Sequence, residues 1–145
     1  MKKEERKKVE VQPCPHGCPW SHQPKHWHYR KNKDCVFCKK IKDRSVTFSE
    51  NGLACYFQPL NPVVAGHLLV IPTYHASDVS DSVSAQEAIK LVALLTNQYE
   101  NCNIITSKGS DATQTVFHLH FHIIPRIKGD GLKLPWTDQI LKDKK

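Results

Sequence analysis

The stretch that most constrains this chain is His118-Leu119-His120-Phe121-His122-Ile123-Ile124, where histidine and apolar residues alternate. A β-strand turns successive side chains to opposite faces, so residues of one parity share a face, about 6.6–6.8 Å apart. The alternation predicts a strand over 115–124, ended by Pro125, which has no N–H for a ladder. Leu119, Phe121 and Ile123 then enter a core, and His118, His120 and His122 line the opposite face, which is left free for chemistry. A solvated polar face does not need three imidazoles, so the pattern marks a reactive or ligating site. A single metal held by all three is awkward. Strand neighbours spread along a line, whereas zinc ligand atoms converge on one point at about 2.0–2.1 Å.

Around this segment the chain reads as short strands and one long helix. Residues 53–57 carry aromatic strand character, 67–71 form a compact apolar run between Gly66 and Pro72, and 102–106 read as a further strand. Ser84-Ala85-Gln86-Glu87 has the form of a capping box. Ala85, Ala88, Ile89, Val92, Leu95 and Tyr99 follow it at helical spacing, which predicts a helix over 84–100. Residues 108–114 form a polar loop containing Gly109. The expected architecture is α+β: a mostly antiparallel sheet of about five strands with the helix over one face.

Charge divides the chain. Residues 1–44 hold 13 basic and 5 acidic residues, a net of +8; residues 45–145 hold 8 and 9, a net of −1. A basic, Cys/His/Pro-rich leader over 1–34 followed by a folded domain over 35–145 is the expected organisation. With 145 residues, 39% hydrophobic, there is material for one core. No run of 18 apolar residues exists to cross a membrane, and the first residues lack a secretory apolar segment. The expected compartment is the cytoplasm, where six cysteines read as metal ligands or buried thiols rather than disulfides. Cys55 and Cys102 fall within strands and read as core, and His67 reads as structural.

Two groups have zinc-ligand character. Cys35-x-x-Cys38 has the spacing of half a tetrahedral site and needs two further ligands, for which His67 and His75 are on offer. In the leader, Cys14, Cys18, His22 and His26 form a compact second candidate set, with a shorter gap than in a two-Cys, two-His finger. The same leader mixes positive charge with Trp20, Trp27 and Tyr29, a combination suited to nucleic acid.

HLHFHII resembles the motif of the histidine-triad family, and QTVFHLHFHIIPR, GHLLVIPTYH and KGDGLKLPW extend the likeness over about residues 35–136. The resemblance implies a hydrolase or transferase in which His120 attacks the α-phosphate of a purine nucleotide. The nucleotidyl-histidine so formed is then hydrolysed; dinucleoside polyphosphates and nucleoside phosphoramidates are candidate substrates. It further implies that His122, Gln114 and Thr115 contact phosphate oxygens and that the His118 carbonyl orients His120. A base and ribose pocket would lie near Phe57 and Leu60. Ser107 stands where many relatives have Asn, and Ala112-Thr113 replaces a commoner glycine pair, both near the expected leaving group. From zinc-bearing relatives comes the ligand set Cys35, Cys38, His75 and His118, a structural zinc. A homodimer that extends the sheet is implied as well. Two other functions compete: a nucleic-acid-associated member, for example one removing adenylate from DNA ends, and a nucleotide-binding module with little turnover.

Overall fold

The computed structural model describes residues 32–135 and 137. The leader candidates Cys14, Cys18, His22 and His26, with Trp20, Trp27, Tyr29 and the tail residue Trp136, lie outside the described residues. Helix α1 spans Val36–Lys42, followed by β1 (Thr47–Phe48), β2 (Ala54–Phe57), β3 (Leu68–Pro72), α2 (Ser82–Thr96), β4 (Cys102–Ile105), a 3₁₀ turn (Ser110–Ala112) and β5 (Phe121–Pro125). The strands form one antiparallel sheet in the order β1-β2-β3-β5-β4.

The central strands of the sheet are covered on both faces. Alternate residues Ala54, Val70, Leu119, Phe121 and Ile123 pack under Ala88, Leu91 and Val92 of α2. Their neighbours of opposite parity, Cys55, Leu69 and Ile71, pack with Cys35 and Phe37 at and just after the start of α1. The α-helix that follows Cys35 was not foreseen as a helix; three lysines in its last turn suit the negative end of its dipole. The expected open histidine face is therefore corrected. His118 has no exposed surface and His120 only 7%, because α1 closes that side.

Three other expectations change. Helix α2 starts at Ser82, not 84, and its N-cap is Asp81, whose carboxylate accepts from the Ser84 N–H at 3.0 Å. Ser84 is thus inside the first turn, and Glu87 instead meets Lys90 and Asn51. Leu91 is buried on the core face and Ile89, expected there, is exposed. Beyond the helix, Tyr99 donates to the carbonyl of Gly66. There φ is +80°, and a Cβ would stand 3.2 Å from Pro125 Cγ, so glycine suits the tight approach to β3. Finally, the strand expected over 115–124 is ordered as a ladder only from Phe121. β3 ends at Pro72, which has no N–H to donate, and the Pro72 carbonyl is taken by the His118 ring at 3.0 Å. The main-chain N–H of Leu119 goes to Ala76 instead, at 2.6 Å.

Candidate active site and metal centre

The histidines gather on the α1 side, opposite Leu119, Phe121 and Ile123. His120 and His122 have ring centroids 5.1 Å apart, edge to face. His120 Nδ1 lies 2.7 Å from the His118 carbonyl oxygen. A carbonyl only accepts, so Nδ1 carries the proton and Nε2 keeps its lone pair. His122 has the opposite arrangement. The Val63 N–H donates to His67 Nδ1 at 3.1 Å, so the neutral His67 ring holds its proton on Nε2. That Nε2–H donates to His122 Nδ1 at 3.0 Å, which leaves the His122 proton on Nε2. Burial keeps both rings neutral: it lowers the pKa of His67 and, with His120 and His67 adjacent, brings His122 down to about 4. The site therefore pairs a ring nitrogen that keeps its lone pair with a neutral hydrogen-bond donor.

Phe37 closes the far side. Its ring meets His118 at 5.8 Å and His120 at 5.5 Å, both edge-on, and Phe57 at 5.4 Å. The Lys40 ammonium stands 5.2 Å from the Phe57 ring centroid.

Four metal-ligating side chains converge behind His120. The donor atoms of Cys35, Cys38, His75 and His118 all lie within 4.8 Å of one another. His118 Nδ1 is 3.5 Å from Cys35 Sγ and 3.6 Å from Cys38 Sγ, and His75 Nδ1 is 3.5 Å from Cys38 Sγ. Zinc–sulfur bonds of about 2.3 Å and zinc–nitrogen bonds of about 2.0–2.1 Å at tetrahedral angles put S and N about 3.5 Å apart, so the spacing fits. The tautomer fits too, because His118 gives its Nε2–H to the Pro72 carbonyl and turns the Nδ1 lone pair to the thiols. Burial, with His75 and His120 beside it, lowers the His118 pKa to about 4. His67, the other histidine weighed for this site, is placed on His122 instead.

The expected phosphate-binding residues are placed unequally. Gln114 is buried, and main-chain groups occupy its amide: Oε1 accepts from the Gly109 N–H at 2.9 Å, and Nε2 donates to Ser77 and Val116 carbonyls at 2.6 and 3.2 Å. It staples the loop rather than presenting a donor. Thr115 is exposed at the loop's end, after Thr113 in the left-handed region at φ +65°. Ser107 is half-buried, and Leu60 is 88% exposed. Two residues of the site had no marked role in the sequence: Phe37 and Thr106, whose hydroxyl donates to the His120 carbonyl.

Residues 40–129 match the family model described as the HIT domain. The adenosine 5′-monophosphoramidase hnt1 of Schizosaccharomyces pombe is 37% identical over 110 residues, covering 70% of this chain and 82% of its own. A hypothetical protein from Leishmania major has a similar structure, with a TM-score of 0.63, 32% identity and coverage of 77% of this chain and 91% of its own. A Zn-bound histidine triad family protein from Mycobacterium smegmatis matches with a TM-score of 0.58 and 29% identity, covering 70% of this chain and 81% of its own.

Proposed function

The chain is a member of the histidine-triad (HIT) family of hydrolases, and from that premise we propose that it cleaves purine nucleotides at the α-phosphate, with His120 as nucleophile. The observation that carries this reading is the 2.7 Å contact of His120 Nδ1 with the His118 carbonyl, which frees Nε2 for attack. The Nε2–P bond forms as the bond from phosphorus to the leaving group breaks, and the leaving group takes the bonding pair and a proton from solvent. Water then attacks the same phosphorus and releases the nucleoside monophosphate and the imidazole. His122 Nε2–H donates to a phosphate oxygen and stabilises charge as it builds. Nucleoside phosphoramidates are the favoured substrate class, and adenosine 5′-phosphoramidate is the natural probe. Dinucleoside polyphosphates present the same α-phosphorus.

Cys35, Cys38, His75 and His118 would hold a zinc ion, whose chemistry is structural because four protein ligands leave no open position. This support reaches the nucleophile through the chain: His75 and His118 each precede a partner in the Ala76 to Leu119 hydrogen bond. The edge strand β4, with Ile104 outward, is where a second copy would extend the sheet. No described helix is long and apolar enough to cross a membrane.

His120→Ala tests the central claim. The expected variant keeps the wild-type circular dichroism and zinc content and loses turnover. Denaturing mass spectrometry should find a covalent nucleotide on wild type alone; full activity in the variant overturns the mechanism. A second reading rests on the net charge of +8 over residues 1–44, which favours an anionic partner such as DNA. Salt-sensitive DNA affinity, lost when residues 1–34 are removed, would support it, and no binding at low salt would dismiss it.

A further inference from the structure

The ladder that orders β5 stops short of the nucleophile. Pairing with β3 reaches Val70 opposite Phe121, and pairing with β4 reaches Ile105 opposite His122. One residue earlier, isolated groups hold the chain. The Leu119 N–H bonds Ala76, the His118 ring bonds Pro72, and the His120 carbonyl accepts from the Thr106 hydroxyl at 2.8 Å. Thr106 is the first residue past the end of β4. His120 is thus gripped twice: its ring Nδ1–H on the His118 carbonyl, and its own carbonyl on Thr106. The direction of an imidazole follows from its side-chain torsions and from the peptide that carries it, so the second grip aims the first. A β-branched residue suits this place, because its stiff χ1 holds the hydroxyl on one heading.

We infer that Thr106 is a positioning residue, whose hydroxyl holds the peptide of His120 at the end of the sheet ladder. The inference rests on the reading of His120 as nucleophile. Its value is geometric: reacting atoms misplaced by an ångström can slow a reaction about a hundredfold.

The test compares Thr106→Val, which keeps the shape and removes the donor, with Thr106→Ser, which keeps the donor. Both are made in the full chain and assayed with adenosine 5′-phosphoramidate. The valine variant should lose about tenfold in kcat, the worth of one hydrogen bond, with KM within twofold. The serine variant should stay within about threefold of wild type. A merely structural role would lower Tm and leave this split between kcat and KM unseen. The inference fails if the valine variant turns over like wild type, if serine falls as far as valine, or if the loss is confined to KM. Should valine fail to fold, Thr106→Ala takes its place in the same comparison. An inactive wild-type chain overturns the reading of His120 as well. An active wild type beside an unimpaired valine variant overturns only the role given to Thr106.

Discussion

What a histidine can do depends on which nitrogen carries its proton, and in this site the main chain makes that choice. The carbonyl of His118 takes one proton, the N–H of Val63 assigns another through His67, and two adjacent rings end with opposite characters. Removing the relay should show it. His67→Ala should cut kcat about tenfold with little change in KM, and imidazole nitrogen NMR should find His122 in mixed tautomers. Unchanged nitrogen shifts would refute the relay. The alternation of residues 118–124 already told which side chains share a face, because that follows from the backbone period alone. It could not tell that His67 meets His122. Leu69 lies opposite His122, so His67, two residues earlier on the same face, becomes its diagonal neighbour. That depends on register, which a single segment does not carry. Gln114 was legible as a loop residue but not in its task, since its partners are main-chain groups distant in sequence such as Ser77.

Among the elements, four strands and the long helix could be read from the sequence, with β2 ending at Phe57, β4 starting at Cys102 and β5 ending at Pro125 as expected, but the start of β5 and both ends of α2 could not. The start of β5 depends on its neighbour: Pro72 has no N–H to donate, and the ladder between β3 and β5 begins only at Phe121. β1 is two residues long, too short to show a period. At α2, Asp81 and Ser84 both suit a cap by type, and only the backbone reveals that Asp81 reaches the free N–H. Asp81→Ala should therefore lower stability by about 1 kcal/mol, measured by urea unfolding. A loss below a few tenths would deny the cap.

At the scale of the molecule, the central strands are covered on both sides, and His67 and His122 lie in that covered environment. His122 has a folded pKa of about 4 against an ordinary 6.5, and burial lowers His67 in the same direction. Between those values the unfolded chain binds a proton that the folded chain refuses, so the contribution of these two rings to stability should be lost as pH drops from about 6.5 to 4 and be constant above. The His122 share is below about 3 kcal/mol, because solvent screens a ring that is only partly buried. Urea midpoints at pH 5 and 7.5 that agree would contradict this. The end of the ladder before His120 has one more consequence. Ladder bonds act collectively, and altering one disturbs a whole row, whereas residues 118–120 hang from separate tethers at Pro72, Ala76 and Thr106. Only the Thr106 tether is a side-chain group outside the metal set, so it alone can be exchanged to change how firmly the His120 peptide is held while the sheet and the four ligands stay as they are.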